Sequence, residues 1–381
     1  MDKQELKSFI ILFITNFLFF LGFNLLNILP MYLTLLNVTS SYIGIIMGIP
    51  MFMLVVITLI YMNTIDLIDK KKYLLLAFLL AVISYILYYL FYNNFKIILL
   101  TRLIQGITYG IGFTFIFSMA IDIIPSELRV GYLGMFGISG SLANAIGPFV
   151  AEYVFKTTEN FRNVFLIGLI LSTINIIIFS NIKYSKKYNE KHETHNPIKL
   201  DQYKGLIILS IIFGSIFSTH FSFISGYAQK INLLPVSVFF ISYTLSLIIL
   251  RLLLVKKINR WEKEKTIKIF FLIAIFSLLT ESMLKEFRFI VFLSIVGIIY
   301  GLSHSILYPT FSSIFVEKTH EKGKATMLFI LLFSLGQGAG AFLYGFVAEK
   351  IDYQFMYLIS FFISFITFGY VFLSKNKKIN N

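Results

Sequence analysis

The sequence predicts an all-α membrane protein of twelve transmembrane helices arranged as two pseudo-symmetric six-helix bundles. Three observations carry that prediction. Of 381 residues, 57% are hydrophobic and only 14% charged, and the mean hydropathy is +0.83, far outside soluble globular usage. A spanning helix needs about 20 mostly apolar residues, and twelve such runs fit along the chain with almost nothing left for a soluble domain. The second half also repeats the first. Aligning Ala143 with Gly336, an offset of 193, sets Asn144 on Gln337, Gly147 on Gly340 and Pro148 on Ala341, and Gly106 meets Gly301 at an offset of 195.

The first run, 8–36, begins within ten residues of Met1. Its length and the want of a small-residue cleavage site make it a retained first helix rather than a signal peptide. It carries Asn16, Asn24 and Asn27 and ends near Pro30; Asn24, close to mid-depth, either bonds a neighbouring helix or faces a cavity. The second run, 41–61, contains Gly44-x3-Gly48, a spacing that lets two backbones pack closely, followed by Pro50. The third, 73–92, is featureless except for Tyr88, Tyr89 and Tyr92 at one end, which suit an interfacial belt. The fourth, 96–124, holds Arg102 with Gln105-Gly106, and closes on Asp122. A charge inside a spanning helix costs from about 2.5 kcal/mol to far more, so Arg102 is expected to face protein or a water-filled cavity. The fifth, 131–155, spaces Gly134, Ala143, Gly147-Pro148 and Ala151 along its length, with Glu152 at its end expected to reach into the headgroups. The sixth spans 162–182.

From Asn181 to Lys204 the composition turns polar and basic and includes Pro197, which marks 183–203 as a linker between halves 1–182 and 204–381. His192-x-x-His195 within it lacks a third ligand and reads as solvated surface rather than a metal site. The second half contributes runs at 204–230, 236–255, 266–284, 288–316, 324–348 and 353–374. Two of the five histidines, His220 and His304, fall in the middle of the seventh and tenth runs, the latter beside Ser303 and Tyr308. The acidic residues Asp122, Glu152, Glu281 and Glu349 all lie near run ends, so a buried proton carrier is expected to be a histidine rather than a carboxylate. Arg251 is expected to snorkel at the inner end of the eighth run. No cysteine is present, which excludes disulfides, thiolate metal sites and cysteine catalysis. With no metal cluster, nucleophile motif or membrane carboxylate pair, the sequence gives no reason to expect an enzyme, a cofactor or a metal.

A net charge of +14 would raise nucleic acid as a partner for a soluble protein, but its distribution argues otherwise. With the N-terminus inside, 24 of the 33 Lys and Arg fall on the cytoplasmic side and 7 on the outer side, Arg102 and Arg251 lying within helices. That is the positive-inside asymmetry of a multi-pass protein with both termini cytoplasmic, in the lipid bilayer of the cell membrane.

Arg102-x-x-Gln105-Gly106 and Gly134-x8-Ala143-x3-Gly147-Pro148-x2-Ala151, separated by Pro125-x-Glu127-x-Arg129, resemble the fourth- and fifth-helix motifs of the major facilitator superfamily of secondary transporters. The second is the motif that the family associates with antiport, here with alanine at two glycine positions. The loop MNTIDLIDKKKY is similar to a degenerate form of the family's cytoplasmic signature. Asp66 and Lys70 to Lys72 are kept, Met62 and Asp69 replace glycines, and Leu67 replaces an arginine. The resemblance implies a conformational latch among Asp66, Lys70, Asp122 and Arg129. It also implies a central cavity lined by helices 1, 4, 7 and 10, with Asn24, Arg102, Gln105, Asn144, His220, His304, Tyr308 and Gln337 as candidates for the substrate or proton pathway. Gly44, Gly48, Gly147, Pro148, Gly336 and Gly340 would serve helix packing. Tyr308-Pro309-Thr310 with Gly336 to Gly340 resembles bacterial drug and metallophore efflux members.

The expectation is therefore a monomeric, proton-coupled exporter of a small organic molecule, cycling by rocking of two halves about a central site. An importer of a sugar, nucleoside or carboxylate shares that fold. A receptor or scaffold without transport is the alternative of another class, and twelve helices without a soluble module leave it little to signal with.

Overall fold

The computed structural model describes residues 1, 3–65, 67–125, 128–184, 204–254, 261–317 and 322–376. Twelve helices in it are long and apolar enough to cross a membrane. They are α1 (Lys3–Leu35, interrupted by a 3-10 turn at Leu26–Ile28), α2 (Ser40–Tyr61), α3 (Lys70–Phe91), α4 (Phe95–Ile123), α5 (Arg129–Thr158) and α6 (Arg162–Ser180), then α7 (Lys204–Lys230), α8 (Ser237–Leu254), α9 (Lys263–Ser282), α10 (Ile290–Glu317), α11 (Lys322–Lys350) and α12 (Tyr353–Asn376). Each expected run is found, and no strand occurs among the described residues. The expected linker 183–203, with His192 and His195, lies outside the described residues apart from Lys183 and Tyr184, as does Asp66.

Helix boundaries follow local chemistry. Asp69, standing where the family's signature has a glycine, caps α3 by accepting from the backbone N–H groups of Lys71 and Lys72 at 3.1 and 3.4 Å. Asn94 caps α4 in the same way through Lys96 and Ile97. Asn37 and Asn232 adopt left-handed backbone just beyond α1 and α7, a conformation asparagine tolerates better than most residues. Pro50, Pro148 and Pro309 sit inside α2, α5 and α10.

The chain forms two compact units, Met1–Leu29 with Phe52–His195, and Pro30–Met51 with Asn196–Asn381. In the first, α3 packs on α4 and α6, and α1 on α5 and α6. Gly147 brings α5 onto α1, where an added Cβ would stand 2.8 Å from the Cβ of Asn24. In the second, α7 packs on α11 and α12, α10 on α8, α9 and α11, and α9 on α12. There the small residues do the closest work. A Cβ at Gly336 would lie 2.0 Å from the Ile211 carbonyl oxygen, one at Gly340 2.9 Å from Ser215 Cα, and one at Gly44 2.3 Å from the Ala341 carbonyl oxygen. One at Gly48 would lie 3.0 Å from the Gly338 carbonyl oxygen. Gly134 differs, since nothing comes within 4 Å of its would-be Cβ.

Candidate functional site

In the first unit the polar core is built on α4. Arg102 and Gln105, one turn apart, are both buried, and the Arg102 guanidinium donates through Nη1 to Gln105 Oε1 at 3.1 Å. The same oxygen accepts from the Tyr88 hydroxyl at 3.1 Å, and the Tyr88 ring stacks on Phe165 at 4.8 Å. Tyr88 is thus not part of an interfacial belt. It is 1% exposed, because a phenol that can reach a buried amide gains more there than among headgroups. Tyr85, three residues earlier, lies on the bare face of Gly168 and donates to the Gly22 carbonyl of α1. Gly22, Tyr85, Gln105, Thr108, Ser172 and Asn175 line a cavity of about 20 Å³, room for one water. Asn175 Oδ1 and Thr108 Oγ1 have no partner among the described residues.

On the neighbouring face Asn16 of α1 donates to Ser139 Oγ of α5 at 2.7 Å, while Asn24 accepts from Asn27 at 3.2 Å and packs against Gly147. The Nδ2 of Asn24 makes no hydrogen bond among the described residues. Asn144 is half-buried on α5. Glu152 is 2% exposed and paired with Lys156 at 3.2 Å, so it does not reach outward as expected; a cation one turn away holds it in place.

Of the four residues expected to form a latch, Lys70 and Asp122 are paired. Lys70, 2% exposed, donates to Asp122 Oδ2 at 2.6 Å, and the Tyr184 hydroxyl donates to the same oxygen at 2.6 Å. Lys71 reaches the carbonyls of Ser180 and Ile182 at 3.4 and 2.8 Å. Arg129 opens α5, and its side chain lies outside the described set.

In the second unit both mid-helix histidines are buried, and neither stands alone. His220 on α7 meets Glu281 of α9, Nδ1 to Oε2 at 2.8 Å, and its Nε2 lies 2.9 Å from Ser277 Oγ. His220 and Glu281 are each 0% exposed. Glu281 lies near the end of α9, as expected, yet it is wholly enclosed, so a buried carboxyl accompanies His220. His304 on α10 is hydrogen-bonded through Nδ1 to the Tyr243 hydroxyl of α8. That contact depends on Gly301, one turn earlier, where an added Cβ would stand 2.3 Å from the Tyr243 carbonyl oxygen. Phe213, Phe217 and Tyr308 surround the imidazole with ring centroids at 5.4, 5.3 and 5.5 Å, and its Nε2 has no partner among the described residues. Tyr308 is half-buried and Gln337 buried on α11. Arg251 is half-buried, and its Nε is enclosed without a partner among the described residues.

The Major Facilitator Superfamily family description matches residues 11–341. The chain belongs to the Major Facilitator Superfamily. Among relatives of this superfamily, it is similar to the staphylopine export protein of Staphylococcus aureus, 23% identical over 96% of each chain. It is also similar to the quinolone resistance protein NorA of the same organism, 25% identical over 60% of this chain and 61% of that one. Among solved structures, the nucleoside transporter NupG superposes with a TM-score of 0.72 at 16% identity, covering 98% of this chain and 99% of that one. A POT family transporter in complex with a thioalcohol conjugated peptide gives 0.76 at 14% identity, covering 98% and 96%. At these identities the structural likeness establishes the shared fold. The chain is a multi-pass membrane transporter of small molecules and not an enzyme.

Proposed function

We propose that this transporter is a proton-coupled exporter of a small organic molecule, working from the cell membrane with both termini cytoplasmic. One observation carries the direction: the relation to an export protein runs over 96% of both chains, so it takes in both halves of the transport machinery rather than one shared motif. The glycine-proline motif of α5 points the same way, as does the likeness to a drug-resistance protein. The two halves, 1–182 and 204–381 joined by 183–203, would alternate access to a site lined by Asn24, Arg102, Gln105, Asn144, His304, Tyr308 and Gln337. Arg102 keeps its charge at any physiological pH, and His304 presents an unpartnered nitrogen among aromatic rings. Together they favour an anionic, nitrogen-bearing, partly planar substrate of the metallophore or quinolone kind. Protons are the coupling ion that buried histidine chemistry supports.

Transport direction separates this reading from an importer of the same fold. Cells expressing the protein should accumulate less of a fluorescent quinolone than cells lacking it, and inside-out vesicles should take it up when acidified within. Uptake into right-side-out vesicles, driven by an outside-acid gradient, would reverse the assignment. Absence of counterflow with every anionic, nitrogen-bearing compound of a metabolite panel would remove the transport of this class of substrate.

A further inference from the structure

The two ring nitrogens of His220 are met from opposite sides by residues four apart on α9, Ser277 at Nε2 and Glu281 at Nδ1. A spacing of four puts both on one face of the helix, one turn apart. Ser277 Oγ lies within hydrogen-bond distance of both the Ala274 carbonyl, at 2.7 Å, and His220 Nε2, at 2.9 Å, so the imidazole tautomer sets whether it accepts from the ring or donates to it. With one proton beyond a neutral imidazole and a carboxylate, the pair is either imidazolium and carboxylate or neutral imidazole and carboxylic acid, and both are electroneutral. Without it, a neutral ring and a bare carboxylate meet at 2.8 Å with both side chains 0% exposed, a net charge that burial penalises heavily.

We propose that His220 and Glu281 together form one proton-binding site of the transporter, occupied while the pair is sealed and emptied only in a conformation that admits water. The proposal rests on the proton-coupled reading above and names the groups that carry the proton. A proton enters from water onto the pair, is held on it, and returns to water on the other side; no other atom changes hands. The seal is visible. The Tyr300 ring of α10 covers the imidazole at 3.8 Å, Phe239 of α8 lies at 6.0 Å, and the Tyr357 hydroxyl of α12 is tied to the Thr219 carbonyl beside it. The titratable groups facing the pair are Tyr300, Tyr357 and Tyr227, with Tyr243 of α8 stacked behind Tyr300 and His304 of α10 within electrostatic reach of His220. Formal charges lie further round: Glu286 and Asp352 act on Tyr227, and Arg251 on Tyr243 and His304. Neither carboxylate oxygen of Glu281 has a hydrogen-bond partner among the described residues, and His220, 2.8 Å away, is the basic group that meets it as an ion pair. This sets the pair apart from His304, which leans on a neutral phenol.

Infrared difference spectra of the full-length protein in proteoliposomes, taken between alkaline and acidic buffer, test the site without needing a substrate. The wild type should show a titrating carboxyl or imidazolium signal that is lost in both Glu281→Gln and His220→Gln. Exchanging the two residues, His220→Glu with Glu281→His, should restore it. An unchanged signal in both single variants, each confirmed as monodisperse, overturns the proposal. Gradient-driven uptake of a fluorescent quinolone into inverted vesicles keeps the two readings distinct. A wild type driven by the gradient with Glu281→Gln driven equally well sinks the pair and leaves export standing. A wild type with the infrared signal but no gradient response sinks proton-coupled export of that probe and leaves the proton site standing.

Discussion

Asp122 holds two donors on one carboxylate oxygen, the Lys70 ammonium and the Tyr184 hydroxyl, and Lys70 is almost wholly buried. Removing the carboxylate therefore costs more than removing the ammonium, because it leaves a cation enclosed. Asp122→Asn should destabilise by about 1 to 3 kcal/mol; Lys70→Met should cost less, and the double variant should recover part of the loss, all read as melting temperatures in detergent. At Arg102 the expectation separates function from structure. Tyr88→Phe removes one neutral hydrogen bond to Gln105, worth about 1 kcal/mol, and should leave transport in place. Arg102→Met should abolish transport of an anionic probe while the protein still folds; wild-type transport in that variant would take Arg102 out of the substrate path. Arg102, Gln105, His220 and His304 were all legible as polar residues in apolar runs. Glu281 and Tyr88 were not, since both stand near run ends, where depth counted along the chain says nothing about which neighbours close over them. The available signal was local: Ser277-x3-Glu281 on one helical face, and Tyr85-x2-Tyr88 beside the fourth run.

Glycines divide by what they touch rather than by the motif they belong to. Gly336 lies against the Ile211 carbonyl, and Gly134, a member of the fifth-helix motif, faces open space. Gly336→Ala should destabilise by about 1 to 3 kcal/mol through overpacking, and Gly134→Ala should be neutral or stabilise by up to about 1 kcal/mol through helix propensity. Equal melting temperatures for the two variants would refute the distinction. All twelve helices were readable from hydropathy because a span has to be apolar over its whole length. Their pairings were less so: the sequence marked Gly44 and Gly48 as a close-packing seam without naming α11 as the partner.

For the molecule as a whole, the proposed orientation with both termini inside rests on the lysine distribution, and the absence of native cysteine makes it directly measurable. A membrane-impermeant maleimide applied to intact cells should label Asn93→Cys, in the loop between α3 and α4, and spare Lys375→Cys until the membrane is opened; the reverse pattern would invert the topology. The seam where α2 lies on α11 carries a last consequence. Backbone meets backbone there at Gly44, Gly48 and Gly345, with 2.3 Å from a would-be Cβ to the Ala341 oxygen. Nothing as wide as an acyl tail can wedge into so narrow a join, so hydrocarbon cannot wick inward along it, and that line of the protein stays closed to the surrounding lipid whatever its composition.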